Sequence, residues 1–195
     1  MKRILFFIIA VLSLQFATAC SSNNDGFNPD NQESSGEIQY DNNRKILVAY
    51  FSATGNTQRL ADQIVSATGA DVFRIEAAEP YASNPYDDSN RIQNESYNNL
   101  RPKVAALPDN VEDYDVIFIG SPIWWHNPAM VVCTFLENYN LKDKIIVPFF
   151  TYGATTYLQQ SIDKIHEVTP QSIHLDTYTG NGEVEDWLRQ IHIIK

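Results

Sequence analysis

The chain has 195 residues, a formal net charge of −10 and two cysteines. A protein this acidic is repelled by nucleic acid and by anionic lipid head groups, so we expect neither to be bound through surface charge. The chain is long enough for one domain with a substantial apolar core. Two cysteines are too few for a disulfide-stapled scaffold, so that core must provide the stability.

Residues 1–19 have the pattern of a secretory signal peptide. The basic pair Lys2-Arg3 precedes a mostly apolar run at residues 4–14, which is too short to cross a bilayer of about 30 Å as a helix. Residues 17–20 (ATAC) resemble a bacterial lipobox, although Leu is usual where Ala17 stands. We therefore expect an exported lipoprotein of the bacterial cell envelope, anchored in a membrane through lipidated Cys20. The alternative is ordinary cleavage before Cys20, which leaves a free thiol.

Residues 20–43 are predicted to form a flexible tether. They are rich in Ser, Asn, Asp and Gly and almost free of apolar side chains, a composition that cannot bury a core. Residues 44–195 carry the apolar periodicity of a folded domain. The sequence thus predicts three parts: a signal peptide at 1–19, a lipidated tether at 20–43 and one domain at 44–195.

Apolar runs and helical patterns alternate five times within residues 44–195. Alternation of this kind predicts an α/β fold with a parallel sheet and helices on both faces, although periodicity does not fix the strand order. The predicted strands cover residues 46–51, 72–75, 116–120, 145–150 and 172–175. The predicted helices are one through 60–68 ended by Gly69, a short one near 88–100, one with Pro128 in its first turn, one through 158–165 and one through 184–191.

Ligands of open α/β sheets bind beyond the carboxyl ends of the strands, and three loops there have unusual compositions. Residues 52–57 (SATGNT) combine hydroxyls, an amide and a glycine before a helix, which predicts an anion site of backbone N–H groups and hydroxyls. The chain has neither a GxxxxGK[ST] nor a GxGxxG motif there. The alternative is that Ser, Thr and Asn are ordinary helix caps.

The second loop, residues 121–128 (SPIWWHNP), contains two adjacent tryptophans. We expect one of Trp124 and Trp125 to wall a flat aromatic ligand and the other to pack inward, since neighbouring side chains point in different directions. The alternative is that one or both simply fill the core. His126 alone is more typical of a solvated loop histidine than of a catalytic one. The third loop, residues 151–156 (TYGATT), again combines hydroxyls, a glycine and an aromatic ring.

In this order and spacing, YFSATGNTQRLADQI, YDVIFIGSPIWWHNP and KIIVPFFTYGATT resemble the flavodoxin-like family of bacterial FMN-binding proteins. The resemblance covers residues 44–195. It implies a three-layer sandwich with a five-stranded parallel sheet in the order 2-1-3-4-5 and FMN at the switch point. It assigns the phosphate to Ser52, Thr54, Gly55, Asn56 and Thr57. It assigns the flavin ring to Pro122, Ile123, Trp124 and Trp125, and its other edge to Thr151 and Gly153.

The chain also departs from the family pattern. The third loop commonly reads TSGGSG, and Tyr152, Ala154 and Thr156 stand here in place of Ser, Gly and Gly. His126 stands where Gly often follows the tryptophans. Because a Cβ at residue 154 forbids some backbone shapes that glycine allows, we expect the flavin contacts and the redox details to differ.

Residues 77–110 form an irregular polar stretch from which we assign no catalytic residue. One interpretation has tyrosines over the flavin and charged side chains meeting a substrate. The other is a solvated insertion with aromatic anchors. The residues concerned are Tyr81, Tyr86, Tyr97, Glu95 and Arg101.

The function implied is electron transfer through FMN, as a carrier or a small quinone or dye reductase. Because NAD(P)H is not expected outside the cytoplasm, the partner would be a redox protein or a membrane quinone, and the electron donor would be that protein or the reduced form of the quinone, a quinol. A neutral phosphate loop in an acidic domain is expected to lower the flavin potential. The alternatives are a non-catalytic FMN-binding protein and a scaffold that has lost the cofactor.

Overall fold

The computed structural model describes residues 38–153, 155–180 and 182–195. The predicted signal peptide, Cys20, most of the predicted tether and Ala154 therefore lie outside the described residues. Within the described ranges, no helix combines the length and the apolar character needed to cross a bilayer.

A twisted parallel sheet with strand order β2-β1-β3-β5-β6 forms the centre of the domain. All four neighbouring pairs along this path are parallel, and β4 pairs antiparallel with the end of β3. The predicted five-stranded parallel sheet and its order are confirmed, since β4 is an additional short strand. The strands are β1 Ile46–Tyr50, β2 Asp71–Arg74, β3 Val116–Trp124, β4 Asn127–Pro128, β5 Ile145–Thr151 and β6 Ile173–His174.

Helices cover both faces of the sheet and complete the predicted three layers. Helices α1 and α5 pack against one face, and α3 and α4 against the other. Gly69 ends α1 in a left-handed conformation, as its position predicts. The helices are α1 Asn56–Thr68, α2 Ser89–Tyr97, α3 Met130–Glu137, α4 Leu158–Val168 and α5 Val184–Gln190.

The continuous apolar runs of the sequence are explained by burial on both sides of the sheet. In β1, Leu47 and Ala49 join the core cluster under α3 and α4, while Val48 and Tyr50 join the cluster under α1 and α5. Alternating side chains of one strand thus support opposite layers. A sheet fixed in this way on both faces gives the loops at its carboxyl edge a rigid base.

The region of Pro128 differs from the prediction. Strand β3 continues past Gly120 to Trp124, and Pro128 lies in β4, opposite Ile123, rather than in the first turn of a helix. The N–H of Ala129 donates to the carbonyl of Pro122 at 3.2 Å. Because this pairing extends the strand, α3 begins only at Met130, and residues 121–128 form a β-hairpin.

Candidate functional site

A cavity of about 1060 Å³ opens at the carboxyl edge of the sheet. Its walls come from the loops after β1, β3 and β5, as predicted, and from the segment before α2. Its size lies close to the upper limit of the roughly 300–1,000 Å³ found for small-molecule sites, and slightly above it. The predicted site residues that line it are Thr54, Asn56, Thr57, Pro122, Ile123, Trp124, Trp125, Thr151 and Gly153.

Two predicted site residues, Ser52 and Gly55, shape the first loop instead of lining the cavity. The buried hydroxyl of Ser52 accepts a hydrogen bond from the Gly55 N–H at 3.1 Å. Gly55 precedes α1 with a φ of 84°, a left-handed conformation that glycine adopts without a steric penalty. Both residues therefore set the course of the chain into α1.

The amino end of α1 forms the polar end of the cavity. The first helical bond runs from the Arg59 N–H to the Gly55 carbonyl at 3.0 Å, so the amides before Arg59 have no acceptor within the helix. The buried Thr57 hydroxyl lies 2.8 Å from the Thr151 hydroxyl. This contact joins the first and third loops and concentrates donors for an anion at one place.

Arg59, which the sequence analysis did not single out, lines the same end of the cavity. Its guanidinium donates to the Asn56 side-chain carbonyl one turn earlier. Arg74 supports the loop from behind by donating to the Ser52 carbonyl at 3.0 Å. The loop at residues 52–57 is itself neutral, but Arg59 of α1 adds a positive charge beside it, and the expected lowering of the flavin potential stays a prediction. The sequence contained a signal for Arg59, because residues 56 and 59 of a helix lie three positions apart and share a face.

The two tryptophans occupy different environments, although both line the cavity. Trp124 is partly buried and packs edge-on against Phe51 and Tyr81, with ring centroids 5.2 and 5.1 Å away. Trp125 is 39% exposed and meets Tyr97 edge-on at 6.0 Å. Trp124 thus packs against the core and also lines the cavity, while Trp125 lines the cavity at an exposed position. Which ring contacts a ligand stays a prediction.

Contacts from α2 hold the tip of the hairpin. Trp125 and His126 both have left-handed φ values, 46° and 76°. The Ser96 hydroxyl of α2 donates to the Trp125 carbonyl at 2.6 Å and accepts from the Asn127 amide at 2.9 Å. Ser96, which sequence reasoning missed, is therefore the long-range support of the turn.

The segment 77–110 is mainly a support, although it also contributes to the wall. Of its three tyrosines only Tyr86 lines the cavity. The Tyr81 hydroxyl donates to Glu95 at 2.6 Å, and burial together with this carboxylate raises the pKa of Tyr81. Arg101 forms an ion pair with Glu137 and lies outside the lining.

A fourth loop, after β6, also reaches the cavity through Tyr178, Thr179 and Gly180. The Tyr152 hydroxyl donates to the Thr179 carbonyl at 2.7 Å and connects the third and fourth loops. This loop was not among those predicted from the sequence. The rule that ligands lie beyond strand carboxyl ends would have pointed to it, since it follows the last parallel strand.

The sequence model of a flavodoxin family matches residues 45–191. The chain belongs to the flavodoxin family. The resemblance carried by the three loop motifs is thereby confirmed.

Solved structures agree with this assignment. A flavoprotein from Bacteroides eggerthii is 34% identical, with a TM-score of 0.70 over 78% of this flavodoxin and 100% of that chain. A flavoprotein from Bacteroides uniformis is 28% identical, with a TM-score of 0.64 over 75% and 98% of the two chains. A flavoprotein from Lactobacillus acidophilus, solved in complex with FMN, is 24% identical, with a TM-score of 0.63 over 74% and 98%. At that identity the last likeness concerns the fold alone.

The charge of the cavity contrasts with that of the whole flavodoxin. The chain carries 24 acidic residues, yet no Asp or Glu is found among the described residues that line the cavity. Arg59 supplies a positive charge at the α1 end. An anionic group can therefore enter this end without meeting a carboxylate in the wall.

Proposed function

We propose that this flavodoxin binds FMN without a covalent bond and acts in electron transfer, as a carrier or a small quinone or dye reductase. The observation that carries the proposal is one cavity whose lining combines the amino end of α1 with an aromatic wall. The FMN complex of the Lactobacillus protein supports the choice of cofactor.

The residues at the α1 end fit a phosphate. A phosphate dianion needs several N–H or O–H donors and benefits from a positive charge. Unpaired amides, the hydroxyls of Thr54 and Thr57, and Arg59 meet this need. Ile123 and the two tryptophans of the same lining offer the apolar and aromatic surface that an isoalloxazine ring requires.

Bound FMN supplies the redox chemistry, namely the transfer of one or two electrons. The chain's own residues bind and orient it. The α1 end fixes the phosphate, the core-packed Trp124 limits water at one wall, and the Thr57–Thr151 contact holds the two loops together. Arg59 offsets part of the phosphate charge, which opposes the lowering of the potential expected for a neutral loop.

The full-length protein purified from its cell fraction tests this proposal. We expect a flavin spectrum, and heat should release a compound that co-migrates with FMN and not with riboflavin or FAD. Reduction followed by reoxidation with quinones or dyes then separates a reductase from a protein that only holds FMN. A colourless protein that does not take up added FMN would support the scaffold alternative.

We also propose that Cys20 carries the lipid anchor. Cys20→Ser should make the protein soluble or leave it unprocessed, and it should abolish labelling by a radioactive fatty acid. Stable anchoring needs more than one acyl chain. Cys133→Ser is the matched control, because Cys133 is buried in α3 and burial raises the pKa of its thiol to about 12. Wild-type protein that takes up no fatty acid would contradict the anchor.

A membrane-anchored, exported location restricts the electron donor. Since NAD(P)H is not expected there, a redox partner protein or a membrane quinol is the donor in this proposal. Protein found only in the cytoplasmic fraction would remove this restriction and leave FMN binding untouched.

A further inference from the structure

Helix α2 reaches both tryptophans of the hairpin through two adjacent residues. Ser96 bonds to the backbone carbonyl of Trp125. Its neighbour Glu95 is only 7% exposed and bonds to Tyr81, whose ring packs against the ring of Trp124. One helix thus holds the backbone of one tryptophan and, through Tyr81, the ring of the other.

The Glu95 carboxylate is a buried acceptor whose two oxygens are both engaged. The Tyr81 hydroxyl donates to one oxygen at 2.6 Å, and Nε of Arg91 donates to the other at 2.8 Å. The Arg91 guanidinium also lies over the Tyr81 ring, 4.1 Å from its centroid. Burial and the neighbouring carboxylate raise the pKa of Tyr81, so its hydroxyl keeps its proton and stays a donor. The hydroxyl and one face of the Tyr81 ring are therefore fixed.

The free edges of the Tyr81 ring are packed against two further rings. Its centroid lies 5.4 Å from that of Phe51 and 5.1 Å from that of Trp124, and these two are 5.2 Å apart. The three interplanar angles are 63°, 74° and 80°. Since edge-to-face contacts depend on the orientation of each ring, a turn of Tyr81 would turn Trp124 with it. Of these three rings only Trp124 lines the cavity.

Stability alone does not account for an ion pair at this place. Glu95, Arg91 and Tyr81 are all absent from the cavity lining, so they lie behind its aromatic wall. A buried ion pair often stabilises a fold no more than apolar side chains of similar volume. What apolar side chains do not provide is a directional hydrogen bond that selects one orientation of the tyrosine.

We propose that Glu95 is a positioning residue for the flavin: by holding the Tyr81 hydroxyl it fixes the ring of Trp124 and thereby sets the affinity and the potential of the bound cofactor. This rests on the proposed function, in which Trp124 lines the flavin. Two other roles compete, a direct effect of the Glu95 charge on the flavin and a purely structural effect on α2. Tyr81→Phe distinguishes them, because it removes the hydroxyl and keeps both the ring and the Glu95 charge.

Fluorine NMR of the FMN-free full chain labelled with 5-fluorotryptophan tests the effect on Trp124 without any cofactor. The chain has three tryptophans, and replacing each in turn assigns its resonance. Glu95→Gln and Tyr81→Phe should each shift the Trp124 resonance. The Trp187 resonance is the internal reference and should stay in place, because that ring packs on the other face of the sheet.

Glu137→Gln is the matched control for the loss of a carboxylate. Glu137 also accepts a hydrogen bond from an arginine, Arg101, at 2.8 Å, and it lies outside the cavity lining. The Trp124 resonance should not respond to this change. A Trp124 resonance that stays in place in both Glu95→Gln and Tyr81→Phe, or that shifts equally in Glu137→Gln, overturns the proposal.

Redox and fluorescence titrations of the FMN-loaded full chain test the effect on the flavin. Glu95→Gln and Tyr81→Phe should shift the midpoint potential alike and each weaken FMN binding about 2- to 12-fold, the range that one aromatic contact contributes. The double variant should shift the potential no further, because Glu95 acts through the hydroxyl that is already missing. A further shift in the double variant overturns the proposal in favour of the Glu95 charge.

Thermal unfolding of each variant separates positioning from a purely structural role. Lower stability in Glu95→Gln and Tyr81→Phe with an unchanged flavin potential would overturn the proposal, because the ion pair would then only stabilise α2. Wild-type protein that binds no FMN refutes the proposed function instead. The fluorine resonance of Trp124 then still decides whether Glu95 fixes that ring.

Discussion

At the α1 end of the cavity, neighbouring residues of one loop build the wall, whereas the hairpin end depends on a helix distant in sequence. Ser52 holds Gly55 three residues away, and Arg59 reaches back to Asn56. By contrast, Ser96 on α2 holds the Trp125 carbonyl across 29 positions of the chain. The loop at the α1 end therefore takes its shape mainly from local contacts, although the Thr57–Thr151 contact ties it to a residue 94 positions away. The turn of the hairpin depends on a tertiary contact for its shape.

This difference has consequences for what substitutions do. A change in the loop at the α1 end should alter anion affinity and leave the fold intact. A change at the hairpin end should alter stability and the aromatic wall together, because the same contacts serve both. Four expected effects test this division, beginning with the largest.

Trp124→Ala should lower the free energy of unfolding by about 3–5 kcal/mol, the usual cost of removing a core tryptophan. Trp124 is partly buried and packs against Phe51 and Tyr81 at the edge of the core, so the lower part of this range is expected. Trp125→Ala is the matched variant, and its loss should be clearly smaller because Trp125 is 39% exposed. Urea denaturation measures both. Equal losses in the free energy of unfolding would contradict the difference between Trp124 on the buried side of the hairpin and Trp125 on its exposed side.

Thr57→Ala should weaken FMN binding about 10- to 150-fold, since a hydrogen bond to a charged group contributes roughly 1.5–3 kcal/mol. The fold should stay intact, because only the Thr151 contact is lost within the protein. Fluorescence titration measures the affinity. Riboflavin, which lacks the phosphate, is the control ligand and should bind both proteins equally. If Thr57→Ala weakened riboflavin binding by the same factor, Thr57 would not be a phosphate ligand.

Ser96→Ala should lower the free energy of unfolding by about 1–3 kcal/mol, because the buried Asn127 amide loses its partner. The side-chain oxygen of Asn127, Oδ1, already has no hydrogen-bond partner among the described residues. Asn94→Ala, at an exposed position of the same helix, is the control and should cost less. In a double-mutant cycle with Thr57→Ala, the two effects on FMN affinity should add, since the residues share no hydrogen-bond partner. Strong coupling would contradict the division into two ends.

The same division explains which parts of the site the sequence predicted. Thr57 and Asn56 were predictable because their signals are local: a buried strand, hydroxyls and a glycine before a helix. The hairpin was not, since Pro128 favours a helix start by itself and becomes a strand residue only when β3 pairs with it. Trp125 and His126 carry no turn signal, because the turn is enforced by Ser96 and the strand pairing and not by glycine.

The sheet was predictable for a related reason. A strand that is buried on both faces of the sheet needs a continuous run of apolar residues. Leu47 and Val48 illustrate this, because these neighbours are buried in the clusters on opposite faces. Residues 77–110 lacked such a pattern. Tyr81, for example, owes its place to Glu95, Phe51 and Trp124, which are scattered along the chain.

The smallest expected effect lies away from both ends, at the stacked rings of His166 and His174, whose centroids are 4.0 Å apart. Burial lowers the pKa of both histidines, and the charge of His166 lowers the pKa of His174 further. The nearby Asp163 carboxylate opposes this for His166, and Thr169 opposes it for His174. The folded protein therefore binds these protons less readily than the unfolded chain.

Because the folded pKa values lie below the unfolded value of about 6.5, the unfolded chain holds more protons between them. The stability contributed by the pair is complete above about pH 6.5 and is lost as the pH falls through the folded pKa values. Urea denaturation between pH 7 and 5 should show this decline, and the double variant His166→Gln/His174→Gln should flatten it. Thr57 and Trp125 lie outside this pair, so FMN affinity should follow the same pH course in both proteins. An affinity that changes with the double variant would mean that α4 transmits the protonation to the cavity.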